Sequence, residues 1–244
     1  MIPKIIHYCW FGPNKKPKSV HKYIQGWRDK LPDYEIKEWN ESNFDIECIE
    51  YVKQAYAGKK FAFVADYARL KALYEYGGIY LDTDVEVVQD IGKLLVHHKS
   101  DVILGFEEKN WVCTSTIVAK PGSEFIKDFL DSYHGKIFNT GGSIDTTTNV
   151  NMLTNWLRQL GLKQDGTLQS IDYKNSLVAV LPQEYLSPMD YIHRIDNRTE
   201  NTITVHHYDI TWGKKEELVI RYIKLMAVRV FGKKLTLKFW AWFR

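Results

Sequence analysis

Residues 60–88, KFAFVADYARLKALYEYGGIYLDTDVEVV, constrain the fold more than any other stretch. Val64, Ala68, Ala72 (with Leu73) and Tyr76 recur at helical spacing without an intervening proline, and Gly77-Gly78 supplies a stop. Ile79-Tyr80-Leu81 is then a short β-prone run that delivers Asp82-Thr83-Asp84. Side chains in a strand repeat every two residues, so Asp82 and Asp84 are expected to point the same way. Two like charges held side by side are unfavourable unless a cation or a proton sits between them. A hard divalent ion with oxygen ligands is the natural partner.

The same stretch predicts a second pair. A helix that runs down and a strand that runs back up bring the helix start and the strand end to one end of the unit. Asp66 and Arg69, three apart, share one helix face in the early turns. About 15 Å of helix at ~1.5 Å per residue separates Asp66 from the stop. About 20 Å of strand at ~3.3 Å per residue separates the stop from Asp84. The lengths nearly match, so Asp66, Arg69, Asp82 and Asp84 are expected to line one pocket rim.

The chain of 244 residues is long enough for one α/β domain with a sizeable core. Cys9, Cys48 and Cys113 are odd in number, widely spaced and without a C-x-x-C, which points to reduced thiols in a cytoplasmic setting rather than to a disulfide framework or a zinc site. Met1-Ile2-Pro3-Lys4 has no secretory apolar region, and no run of about 18 apolar residues spans a bilayer. A soluble or peripheral protein is expected.

Charge is unevenly distributed. Residues 214–244 hold nine Lys/Arg against Glu216 and Glu217, so a chain of net charge +3 has a tail at +7 and a remainder at −4. The domain is therefore assigned to residues 1–213 and a basic amphipathic helical tail to 214–244. That tail interleaves its cations with Leu218, Val219, Ile220, Ile223 and Met226 and ends Phe239-Trp240-Ala241-Trp242-Phe243. The pattern suits the surface of an anionic bilayer, or a terminal helix packed on the domain. No nucleic-acid recognition module accompanies it, so nucleic acid is not an expected partner.

Along the chain, 4–9 reads as a first strand opening into Trp10-Phe11-Gly12-Pro13, 18–30 as a helix and 34–39 as a second strand, which favours a parallel sheet. Helices follow at 46–57 and 91–97, strands at 102–106 and 112–119, and helices at 123–133 and 151–160. Late strands are read at 168–173, 177–181 and 202–205. His97-His98 lacks a third ligand at helical spacing and reads as a solvated pair. Asp145 and Asn149, in the polar segment 135–148 and just after it, are weak acceptor-side candidates, with turn or helix-cap roles the plainer reading. The second informative stretch is His206-His207-Tyr208-Asp209-Ile210-Thr211-Trp212.

FVADYARLKALYEYGGIYLDTDV resembles the sugar-binding region containing the DXD motif of glycosyltransferase family 32. Bacterial capsular-polysaccharide transferases, yeast-type initiating mannosyltransferases and, more distantly, clostridial glucosylating toxins belong to that group. D-x-x-R followed by G-G-x-Y-x-D-x-D carries the likeness far more specifically than D-x-D alone, and HHYDITW is a close variant of a motif of bacterial members. The resemblance implies a GT-A fold, Rossmann-like with a mostly parallel central sheet in a single domain. It implies Mn²⁺ or Mg²⁺, a nucleotide-sugar donor (UDP-linked favoured, such as UDP-galactose or UDP-glucose) and retention of anomeric configuration. The product is expected to be a glycan of the capsule or another surface polysaccharide.

By the same resemblance Asp84 binds metal directly and Asp82 acts through ribose or water. Asp66 and Arg69 grip the donor sugar, and Tyr80 is a donor-site tyrosine. Trp10 stacks on the base, a core tryptophan beneath the sheet being the alternative. His207, or His206 beside it, completes the metal shell, and Trp212 packs against diphosphate or sugar. A glycan acceptor that is lipid-linked would place the protein on the inner face of the cell membrane through its tail. Two other readings compete. A haloacid-dehalogenase-like phosphatase also uses strand–D-x-D, but Glu86 stands where that motif has a small residue. A non-catalytic sugar-binding module has no need of paired carboxylates beside Arg69. An EF-hand loop starting at Asp82 fails at Val87 and Lys93.

Overall fold

A computed structural model describes residues 1–97, 99–108, 110–139, 141, 143–191 and 193–209. The basic tail at 214–244, His98 and Trp212 lie outside the described residues. The order of elements is β1 (Ile5–Cys9), α1 (Lys18–Lys30), β2 (Glu35–Trp39), α2 (Glu50–Ala57), α3 (Phe61–Tyr76), β3 (Gly78–Leu81), β4 (Val85–Val87), α4 (Gly92–His97) and β5 (Val102–Glu108). There follow β6 (Trp111–Val112), β7 (Thr116–Ala119), α5 (Glu124–Asp131), α6 (Asn149–Gln159), β8 (Gln169–Tyr173), β9 (Ser176–Leu181), α7 (Gln183–Leu186) and β10 (Thr204–His206).

The central sheet runs β2-β1-β3-β7-β5-β9-β8, with β6 beside β5. Pairs β1–β2, β1–β3 and β5–β9 are parallel, while β3–β7, β5–β7 and β8–β9 are antiparallel. Strands β2, β1, β3, β5 and β9 therefore share one direction, and β7 and the edge strand β8 are reversed. The sheet is mostly parallel, as the opening strand–helix–strand pattern implies.

Side-chain alternation divides the core into two layers. Tyr80, Leu104 and Phe106 join α2, α3, α5 and α6 on one face. Ile79, Leu81 and Ile103 join Val20, Ile24 and Trp27 of α1 on the other. Helix α3 buries more than one stripe, because α2 and α5 cover the sides that the sheet does not. Tyr76 departs from the periodic reading: it is 41% exposed, with the Lys37 ammonium 3.7 Å over its ring.

The glycine stop has a steric cause. Gly77 has φ +62°, and a Cβ there would lie 2.5 Å from Pro121; at Gly78, φ +97°, it would lie 2.6 Å from the Ile5 carbonyl oxygen. His7, buried in β1, fastens this corner. Trp39 Nε1–H donates to its Nδ1 at 3.1 Å, so the proton sits on Nε2, which donates to the Gly77 carbonyl at 2.8 Å.

Two expectations are corrected by the structure. The helix read from 46 begins at Glu50. The strand read over 112–119 is broken at Cys113-Thr114-Ser115 into β6 and β7. The run after Asp84 is extended, but outside the main sheet: β4 pairs antiparallel with β10, with His206 opposite Val85.

Candidate functional site

Strand β3 ends at Leu81, and Asp82-Thr83-Asp84 forms a turn closed by the Val85 amide donating to the Asp82 carbonyl at 3.0 Å. The two aspartates thus converge through a turn rather than through strand alternation. Ligand atoms of Asp82, Asp84 and His206 lie within 4.8 Å of one another. Among the described residues this is the group of His, Cys, Asp and Glu with spacing suited to one metal ion.

Each member is fixed by neighbours. The Asp82 amide donates to the Ser115 carbonyl at 2.8 Å. Asp82 Oδ1 accepts from the Tyr80 hydroxyl at 2.8 Å and lies 3.3 Å from Arg69 Nη2. Asp84 Oδ2 accepts from the Asp209 amide at 2.7 Å and lies 3.4 Å from His206 Nε2. Burial opposes ionisation of Asp84, but His206 and the Asp209 amide outweigh it and hold the carboxyl below its usual range. Burial likewise opposes a charge on His206, and Asp84, Asp82 and Glu107 together raise its pKa. His206 Nδ1 is buried without a hydrogen-bond partner among the described residues.

Behind the turn sits Arg69, buried in α3. Its Nη1 donates to the Thr114 carbonyl at 2.6 Å, its Nη2 lies 2.9 Å from Asp66 Oδ1, and its guanidinium carbon lies 4.6 Å over the Tyr80 ring. Asp66, Arg69, Tyr80 and Asp82 thus form one connected group, deeper than the rim expected from sequence. Burial pushes the Asp66 carboxyl up to about 6 against the opposing pull of Arg69. Across the turn, Glu107 at the end of β5 is pushed up to about 7, by burial first, with His206 opposing and Glu108 and Asp82 adding.

The remaining sequence candidates fall elsewhere. His207 Nε2 meets Glu86 Oε2 at 2.9 Å, and its ring stacks on Tyr23 with centroids 5.2 Å apart. The structure therefore gathers His206, not His207, with the carboxylates. Trp10 is half-buried just past β1 and donates from Nε1 to the Asn14 carbonyl at 2.8 Å. It packs beside the α1 layer. Asp145 accepts from the Thr147 amide and pairs with Lys136 at 3.0 Å, and Asn149 Nδ2 donates to the Asp66 carbonyl at 3.1 Å. Glu107 went unread because a glutamate pair ending a strand looks like a solvated edge.

The architecture is that of GT-A glycosyltransferases. It is shared with the PaToxG glycosyltransferase, matched over 65% of this chain and 69% of that one with a TM-score of 0.50 at 18% identity. Within that class, residues 17–101 match the family described as "Glycosyltransferase sugar-binding region containing DXD motif", a segment that carries α3 and the Asp82–Asp84 turn. An uncharacterized glycosyltransferase of Acanthamoeba polyphaga mimivirus is 33% identical over 104 residues, 39% of this chain and 40% of that protein. Inositol phosphoceramide mannosyltransferase 3 of Schizosaccharomyces pombe is 32% identical over 102 residues, 38% of this chain and 27% of that protein. The matched part thus spans less than half the length of either relative.

Proposed function

We propose that the protein is a metal-dependent, retaining glycosyltransferase that moves a hexose from a nucleoside diphosphate sugar to a glycan acceptor. The observation that carries this reading is the convergence of Asp82, Asp84 and His206 at the carboxyl end of a parallel strand, the ligand-bearing edge of open α/β sheets. Two carboxylates and an imidazole suit Mn²⁺, and the carboxylates alone suit Mg²⁺. The unpartnered Nδ1 of His206 leaves that ring able to turn either nitrogen to an ion. When bound, such an ion supplies Lewis-acid neutralisation of the charge developing on a departing diphosphate.

The chain's own residues do the positioning. Tyr80 and Arg69 fix one oxygen of Asp82, and the Asp209 amide fixes one oxygen of Asp84. Asp66 and Arg69 offer hydrogen-bonding groups to donor-sugar hydroxyls, and Trp10 offers a ring to a base, uracil being favoured. Trp212 and the basic tail, both outside the described residues, are assigned to closure over the diphosphate and to contact with an anionic membrane bearing a lipid-linked acceptor. Synthesis of capsular or other surface polysaccharide would use such an enzyme. Among the described residues no helix is long and apolar enough to cross a membrane.

The test is release of UDP from UDP-glucose and UDP-galactose in the presence of Mn²⁺. The wild-type chain should turn over at least one donor, and Asp84→Ala should not, with an unchanged circular dichroism spectrum. Retained turnover in Asp84→Ala would overturn the metal assignment.

A further inference from the structure

Strand β5 carries a register shift between Phe106 and Glu108 where it pairs with β6, and Glu107 is the residue at the shift. Bulges re-aim a side chain and recur beside active sites. Val102, Leu104 and Phe106 face the α3 layer, and at the shift Glu107 comes within electrostatic reach of His206 and Asp82. Glu107 is half-buried with no side-chain hydrogen bond among the described residues, and its charged neighbours are His206, Asp82 and Glu108.

A second observation comes from the other wall. Tyr191 is 52% exposed, its ring 5.0 Å from that of Tyr208 and tilted edge-on to it. The Tyr208 ring in turn lies 3.9 Å from His206. Tyr208 is held at φ +50°, and its hydroxyl is 3.0 Å from Ser187. An exposed ring is thereby carried on the flank of the Asp82–Asp84–His206 group. Glu108, which senses Asp190 electrostatically, adds a further carboxylate nearby. Carboxylates accept hydrogen bonds and repel anions, while an aromatic face takes the apolar face of a ring. A neutral polyhydroxylated ring satisfies both, and a phosphorylated or carboxylated one does not.

We propose that a neutral hexopyranoside acceptor seats its apolar face on Tyr191 while one of its hydroxyls donates a hydrogen bond to Glu107. The proposal rests on the transferase reading and names the acceptor side of the same site.

The test titrates the full-length chain with the methyl α- and β-glycosides of glucose, galactose and mannose. Saturation-transfer NMR follows binding with and without UDP and Mn²⁺. At least one glycoside should bind saturably, and Tyr191→Ala and Glu107→Gln should each weaken it about tenfold, through loss of the stacking face and of the carboxyl respectively. Tyr191→Ala should keep the wild-type thermal shift with UDP and Mn²⁺, and Glu107→Gln should keep the wild-type circular dichroism spectrum and unfolding midpoint without ligands, which shows that both variants fold. The proposal is overturned if no glycoside binds saturably up to its solubility limit, or if binding ignores both substitutions. A wild-type chain that UDP and Mn²⁺ fail to stabilise counts instead against the donor reading, because the titration without nucleotide is scored separately.

Discussion

Arg69 supports the site from a place where solvent hardly reaches, its side chain being 6% exposed. One planar guanidinium spans Asp66, Asp82 and the Thr114 carbonyl, which lie in different directions. Lysine carries the charge on a single point and has no such fork. Arg69→Lys should therefore lower stability by about 2–4 kcal/mol, approaching the cost of breaking a buried ion pair; urea unfolding checks this. His206→Ala should abolish Mn²⁺ stabilisation of the fold, whereas His207→Ala should leave most of it, because His207 is turned to Glu86. Equal losses in thermal-shift titrations would remove the distinction. The choice between these histidines was not legible in the sequence. Adjacent residues of a strand point to opposite faces, and which face meets Asp84 depends on the β10–β4 register, set across more than a hundred residues.

At the scale of elements, the corner between α3 and β3 is the most demanding join. Gly77→Ala meets both an unfavourable φ and a contact with Pro121, and should cost about 2 kcal/mol or more in denaturant unfolding. The His7 clasp at that corner gives stability a pH dependence of definite sign. Burial lowers the pKa of His7 from 6.5 to about 4, with the Gly77 hydrogen bond opposing. Between those values the unfolded chain binds the proton and the folded chain does not, so stability falls as pH drops from 6.5 towards 4. The loss should reach about 3 kcal/mol at the bottom of that window. His7→Gln should flatten the profile, measured as midpoints of thermal unfolding from pH 7 to 4. The helix–glycine–strand core of this corner was readable because propensity, periodicity and stop residues agreed. The departure of β4 from the main sheet was not, since Val85-Glu86-Val87 alternates identically in either partner's company.

For the molecule as a whole, α/β class and the parallel start of the sheet followed from the sequence pattern, while the reversal of β7 did not. A four-residue strand, Thr116–Ala119, buried on both faces has no local signal for direction. The contrast between a net −4 body and a net +7 tail predicts a measurable behaviour. Removing residues 214–244 should cut cosedimentation with phosphatidylserine vesicles severalfold, about 1 kcal/mol being associated with each basic residue at such a surface. Unchanged partitioning would exclude the tail as an anchor.

The pairing of β10 with β4 has a consequence for biosynthesis. Asp82 and Asp84 leave the ribosome well over a hundred residues before His206 and the Asp209 amide that complete their surroundings. A nascent chain therefore carries Asp82 and Asp84 long before their surroundings exist, and a ribosome stalled before residue 204 would display the two carboxylates without His206 or the Asp209 amide beside them.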